Sequence, residues 1–400
     1  MRIGMIADAY KPHVSGVTNH IALNKQFMEA AGHEVLVFTF GEGEHPDDEP
    51  NVIRSRGVPL VDSGFYFNVS YTNEARKLLH SMDIVHVHQP FLSGTLALRY
   101  CKPRGIPIVF TNHTRYDLYY RAYLPMLPES LGEAFLQAYL PTFFRAIDKV
   151  IAPSEGLRQV LRGYGVTTPI ELIPNGVDIQ PFQQAAMPQE RAQFGFGDDD
   201  IVLLYVGRLG PEKNLPFLLR CFAGTFEAYA NVRLLIVGDG PERDNLEDRV
   251  QHMGLEEGVR FAGLVPYEQL PPYLLMADAF VTASVSEVHP LTVIEAMAAG
   301  LPVLGIESPG VSDSVIDGQT GLLAKNALPS FTAKMVRLVT EHEARRKMGA
   351  QAREHAKQYD IGRTSKMLLD CYEELVVDVA RRNGSLGGRL RRLFKGLREK

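Results

Sequence analysis

The chain has no tryptophan and only three cysteines, Cys101, Cys221 and Cys371, far apart along its 400 residues. An odd and scattered set provides neither a disulfide frame nor a zinc cluster, and fits reduced, buried thiols in a cytoplasmic protein. No apolar run reaches the roughly 18–20 residues needed to span a bilayer, and the opening MRIGMIADAY lacks a signal-peptide pattern. GxxxxGK[ST], HExxH, CxxC and GxSxG are all missing, which sets aside the common phosphate-loop, zinc-hydrolase, dithiol and serine-hydrolase chemistries. There is no repeat of solenoid length and no low-complexity segment.

What is present is ordinary in bulk: 45% hydrophobic and 22% charged residues, enough for two soluble cores of roughly 150–200 residues each. The net charge of −5 is unevenly spread, since Arg381 to Lys400 carries eight basic residues and one glutamate. A uniformly basic nucleic-acid binder is therefore excluded, and a local contact with an anionic surface is expected instead.

Short apolar runs alternate with helical patterns. RIGMI, EVLVFTF, DIVHVH, PIVFTNH, KVIAPS and IELIPNG form a first series, and IVLLYVGRL, VRLLIVGDG, VRFAGL, AFVTAS, LPVLGI and GLLA form a second. This rhythm predicts two parallel sheets covered on both faces, with ligands beyond the carboxyl ends of the strands. The expected division is a first domain over 1–180, a linker over 181–196 and a second domain over 197–355. A helix over 356–380 is expected to return to the first domain, ahead of a basic amphipathic tail over 381–400.

The most specific block is SEVHPLTVIEAMAAGLPVLG. Glu287 and Glu295 are eight positions apart, with Pro290 placed to open a helix. Both carboxylates can approach one ligand only if Glu287 lies in the preceding loop. A loop carboxylate followed by the free N–H groups of Leu291 and Thr292 suits sugar hydroxyls at one end and an anion at the other. In YVGRLGPEKNL, Gly207 ends a strand and leaves Arg208 and Lys213 at its carboxyl end, where fixed positive charge stabilises a departing diphosphate. Gly16, at the turn into the first helix, allows backbone to approach a phosphate. His113 ends the strand PIVFTNH, at the edge facing the ligand. His86 and His88, on DIVHVH, read as structural, and so do Gly238 and Gly240 of VGDGPER, where the third glycine of a dinucleotide fingerprint is replaced by Arg243.

Together these blocks resemble the retaining glycosyltransferases of family 4. The resemblance runs from the first strand to the helix near Ala380. It implies the GT-B architecture, α/β, with two doubly wound Rossmann-like domains facing each other across a cleft. It also implies that Glu287 and His113 hold the transferred sugar, that Glu295 holds the nucleotide ribose, and that Arg208 and Lys213 bind the pyrophosphate. No metal or cofactor is implied, and the nucleotide sugar is a substrate, UDP-linked ahead of GDP-linked. Two positions depart from the family. Val288-His289-Pro290 replaces the usual Gly-Phe-Gly, and Gly16 follows Ser15 where a second glycine is common.

Residues 112–144 contain eight aromatics among scattered arginines. Arg115, Tyr116, Tyr119 and Arg121 suit a lipid acceptor groove or a membrane interface, although packing of two helices explains the same composition. In the tail, leucines and Phe394 recur at spacings of three and four, with Arg391, Arg392 and Lys395 between them. Such a helix lies in an anionic headgroup region. The TNHTRYD segment and this tail make the bacterial diacylglycerol glucosyltransferases the most similar members. Their resemblance implies transfer of glucose from UDP-glucose to a lipid hydroxyl at the inner face of the membrane. A phosphatidylinositol or soluble-sugar acceptor, a UDP-sugar 2-epimerase and a non-catalytic scaffold of the same fold remain alternatives.

Overall fold

The computed structural model describes residues 1–13, 15–43, 49–59, 66–116, 129–184 and 187–396, with side chains left out at 129–135, 137 and 383–396. The chain divides into two compact units. Met1–Gly176 with Ile361–Lys400 forms the first, and Val177–Asp360 the second.

In the first unit, β1 (Arg2–Ile6), β2 (Glu34–Gly41), β3 (Val52–Arg56), β6 (Ile84–Val87), β7 (Ile108–Thr111), β8 (Lys149–Ala152) and β9 (Ile170–Leu172) form one parallel sheet in the order β3-β2-β1-β6-β7-β8-β9. A small antiparallel ribbon, β4 (Val58–Pro59) with β5 (Tyr66–Phe67), stands apart from it. Strand order reverses between β1 and β6, which makes the loops after these strands the expected ligand position. The first helix, Gly16–Ala30, begins at a capping box in which Ser15 and Thr18 satisfy each other's backbone N–H. Ser15 thus does for the helix start what a second glycine would not.

The second unit repeats the plan. Here β10 (Ile201–Val206), β11 (Val232–Val237), β12 (Val259–Gly263), β13 (Ala279–Thr282), β14 (Val303–Ile306) and β15 (Gly321–Ala324) are ordered β12-β11-β10-β13-β14-β15, all parallel, with the reversal between β10 and β13. Both faces of this sheet are covered, so its strands are mainly apolar. Leu203, Tyr205, Leu234 and Ile236 pack into one layer, while Val202, Leu204, Leu235 and Val237 pack into the other.

Two expectations about segment limits change. Residues 181–196 belong to the second unit: Phe182 and Phe196 are buried in its core, and Arg191 donates to Asp278 Oδ2 at 3.0 Å. The surrounding glutamines disguise these anchors. The helix expected over 356–380 begins at Ile361, after the helix His342–Ala356 and a tight turn at Lys357–Tyr359. It packs on the first unit through Leu368, Cys371, Tyr372, Leu375 and Val379, and continues without a break to Gly396. Val177 and Asp360, where the chain passes between units, bridge each other.

Candidate active site

The loops after β10 and β13, at the switch point of the second sheet, carry the main polar cluster. After β10 the chain turns through Pro211–Lys213, and Asn214 takes a left-handed conformation (φ 55°). Asn214 Nδ2 donates to the Ala283 carbonyl at 3.2 Å, and Ser284 Oγ donates to the Glu212 carbonyl at 3.4 Å, so the two loops are tied together. Across this seam Lys213 Nζ donates to Glu287 Oε1 at 2.6 Å, with the two side chains about one-fifth exposed (21% and 19%). Burial would raise the pKa of Glu287, but the Lys213 charge and hydrogen bonds from Lys213 and Ser284 outweigh it and hold the carboxyl below its ordinary range. Lys213 and Glu287 therefore stand as a charged pair, ready to be re-partnered by a ligand bringing both an anion and hydroxyls.

Glu287 lies in the loop ahead of the helix Leu291–Ala298, as its distance from Glu295 requires. That loop rests on Gly310, whose N–H donates to the Glu287 carbonyl at 3.2 Å; a Cβ on Gly310 would stand 2.5 Å from that same oxygen. No side chain caps the helix at Pro290, and Leu291 and Thr292 are the partly exposed residues of its open first turn. The loss of one N–H at Pro290 leaves the next residues to present theirs. One turn further, Glu295 is buried at 2% exposure. Burial pushes its pKa up to about 7, and the Tyr267 hydroxyl, which makes no well-aligned hydrogen bond, pulls weakly the other way. Arg208 is exposed at the end of β10, and its side chain makes no hydrogen bond or ion pair among the described residues. Beside it Gly238 is structural: a Cβ there would meet the Gly207 carbonyl oxygen at 1.9 Å.

In the first unit Gly16 is the exposed first residue of its helix. His113 follows β7, and its Nε2 is hydrogen-bonded to His88 Nδ1 at 3.0 Å. Burial holds the pKa of His113 well below its ordinary value, so the ring is neutral. His86 is structural, with Nδ1 bound to the Tyr372 hydroxyl and Nε2 to Thr111 Oγ1. His88, in contrast, belongs with His113. Tyr116 is core, 6% exposed and packed edge-on to Phe91, which leaves it no surface for a membrane contact; Arg115 beside it is partly exposed. Tyr119 and Arg121 lie outside the described residues, as do the side chains of Arg391, Arg392 and Lys395.

Sequence reasoning did not find Asn214, Ser284, Tyr267 or Gly310. The first two supply only a short polar side chain to a loop, a pattern too common to stand out. Gly310 matters through a contact 23 positions away in the chain.

Two doubly wound parallel-sheet units, with a cation–carboxylate pair beside an uncapped helix start at a switch point, have the architecture of a GT-B glycosyltransferase. The chain belongs to glycosyltransferase family 4: the family model "Glycosyltransferase Family 4" matches residues 14–181, and "Glycosyl transferases group 1" matches 186–355. It is 31% identical over 335 residues to the alpha-monoglucosyldiacylglycerol synthase of Streptococcus pneumoniae, covering 81% of this chain and 75% of that one. To the enzyme of the same name from Acholeplasma laidlawii it is 30% identical over 342 residues, covering 80% and 84%. Anabaena Alr3699/HepE, solved with UDP-glucose, shares the fold with a TM-score of 0.75 at 18% identity, over 94% of this chain and 100% of that one.

Proposed function

We propose that this glycosyltransferase moves glucose from UDP-glucose to the free hydroxyl of a membrane lipid such as diacylglycerol, with retention of the α configuration. The carrying observation is the 2.6 Å Lys213–Glu287 pair at the ends of β10 and β13. On binding, the donor diphosphate takes over Lys213, and the hydroxyls of the transferred sugar donate to Glu287. Arg208 adds a second cation, and the first-turn N–H groups of Leu291 and Thr292 complete the anion site. Positive charge fixed there favours the transition state, because charge grows on the diphosphate as the glycosidic bond breaks. This arrangement supplies the electrophilic assistance without a metal ion. Glu295 takes the ribose, while His113 and Gly16 take the sugar and phosphate roles that the family resemblance gives them. No side chain is assigned as covalent nucleophile, and a donor phosphate oxygen accepts the proton of the attacking hydroxyl.

The lipid acceptor is supported by the two relatives whose names state a glucosyldiacylglycerol product. Two surface features agree with work at the inner face of a membrane. Val58, Phe67 and Val69 on and beside the β4–β5 ribbon are 68%, 50% and 60% exposed, next to the exposed Arg56. The basic end of the chain continues as helix to Gly396. Among the described residues no helix is long and apolar enough to cross a membrane.

The test is transfer of labelled glucose by the full chain in vesicles of anionic lipid, with and without diacylglycerol, using UDP-, GDP- and ADP-glucose. Lipid-linked label from UDP-glucose alone is expected. Conversion of the nucleotide sugar to its 2-epimer without acceptor, with no lipid-linked label formed, would support the epimerase class and refute the transferase reading. Deleting residues 381–400 is expected to lower sedimentation with these vesicles; unchanged sedimentation removes the tail from membrane attachment.

A further inference from the structure

Glu287 and His289 belong to one irregular stretch, between β13 and the helix Leu291–Ala298. The stretch is pinned at two points. At the first, the Glu287 carbonyl accepts the Gly310 N–H at 3.2 Å. At the second, His289, 4% exposed, stands edge-on to the Tyr359 ring, with centroids 5.0 Å apart and planes at 69°. Rings in this arrangement attract each other beyond the area they bury, and the preference for an edge on a face fixes orientation as well as distance. Pro290 narrows the backbone conformations open to His289 before it.

The two pins are tied to each other. The Tyr359 hydroxyl donates to the Asp313 carbonyl at 3.3 Å, and Asp313 lies on the helix Pro309–Ser314 that also carries Gly310. Tyr359 is itself firmly seated. It is 5% exposed in the core layer of Val293, Val311 and Val315, and its carbonyl accepts the Val177 N–H at 3.0 Å. His355 covers it edge-on at 5.7 Å. Contacts thus run in a closed loop from Glu287 through His289, Tyr359, Asp313 and Gly310 back to Glu287. The ring pair is the link in this loop made by two side chains, so it is the link that a substitution can cut. The carboxylate end of Glu287 is held separately, by Lys213 and Ser284. When the diphosphate of a bound donor takes over Lys213, that restraint goes, and the place of the carboxylate depends on the pinned backbone.

We propose that His289 is a positioning residue for Glu287: seated on Tyr359, it keeps the carboxylate where hydroxyls of the transferred sugar reach it. His289 therefore acts on the binding of the sugar half of the donor and not on that of the nucleotide half. The inference rests on the reading of Glu287 as the sugar-binding carboxylate, and adds a residue that this reading does not name.

Calorimetric titration of the full chain with UDP and with UDP-glucose separates the two halves. The readout is the ratio of the two affinities, which a general loss of stability does not move because both ligands bind the same folded site. His289→Ala and His289→Leu remove the ring, the second at a similar volume that keeps the core filled. Each should lower the affinity for UDP-glucose relative to UDP on the order of tenfold, as hydrogen bonds from sugar hydroxyls to the displaced carboxylate are lost. His289→Phe retains the edge-to-face pair and should hold the wild-type ratio. Tyr359→Leu takes the ring away from the opposite side and should reproduce the selective loss. Glu287→Gln is the reference for the underlying reading and should lower the same ratio. An unchanged ratio in Glu287→Gln would overturn the sugar role of Glu287, and the inference with it. A lowered ratio there beside a wild-type ratio in folded His289→Leu, or a loss in His289→Phe equal to that in His289→Leu, would overturn the role of His289 alone.

Discussion

Replacing Glu295 by glutamine tests whether a buried carboxyl in the helix Leu291–Ala298 holds its proton near neutrality. Burial raises its pKa from 4.5 to about 7, and the side chain is only 2% exposed, so solvent screening takes little from the effect. The sign follows from proton counting. Below pH 4.5 the folded and unfolded chains both keep the proton, and no stability is at stake. Between 4.5 and 7 the unfolded chain ionises while the folded chain does not, so stability falls as pH rises and then levels off. Two and a half units at about 1.4 kcal/mol each amount to about 3 kcal/mol, most of it accrued between pH 5 and 8. The variant escapes this loss. Its advantage over wild type should therefore grow by about 2–3 kcal/mol across that range, or roughly 5–10 °C in melting temperature for a unit of this size. Calorimetric melts of both proteins from pH 5 to 8 measure it.

The proposed ribose role of Glu295 links pH to nucleotide binding. A carboxyl that accepts ribose hydroxyls is favoured in its ionised form, so UDP affinity in wild type should rise by up to about tenfold per pH unit below 7, with proton release, beyond whatever rise E295Q shows. Tyr267 faces Glu295, with Asp178 and Glu268 beyond it, and none of these supplies a cation that would hold the carboxylate charged in the empty site. Parallel pH courses for variant and wild type, in stability and in nucleotide affinity, would refute the reasoning.

Arg208→Ala should cut donor turnover on the order of 10²–10³-fold while leaving the melting temperature in place, because the side chain is exposed and unpartnered among the described residues. Lys213→Met should lower both turnover and stability, since it strands Glu287 in a largely buried position; equal melting temperatures for wild type and K213M would refute the ion pair. Gly310→Ala should displace the Glu287 loop and destabilise the second unit by about 1–3 kcal/mol, read by calorimetry, with weakened donor binding as the functional sign. Tyr372→Phe leaves His86 Nδ1 buried without its partner and should cost about 1–3 kcal/mol in the first unit, with UDP affinity unchanged in titration.

Much of the architecture was legible because parallel strands buried on both faces are continuous apolar runs: IVLLYV and VRLLIV leave little choice of element or sheet. β3, VIRSR, escaped because it mixes arginine and serine with two apolar residues, and the β4–β5 strands are two residues each. Phe182 and Phe196 were hidden in a polar stretch that resembled a linker. At the candidate site, local motifs singled out Arg208, Lys213, Glu287 and Glu295, since strand-end loops concentrate chemistry in short segments.

Local order along the chain thus determined the elements, their alternation and which side chains stood at strand ends, because periodicity and turn residues act over a few positions. Only the tertiary structure decided which of those side chains meet. Lys213 and Glu287 are 74 residues apart, and His86 and Tyr372 are 286 apart. The protonation of Glu295 was likewise out of reach of the sequence. A pKa depends on the burial and charge around a group, and these exist only once distant segments have packed.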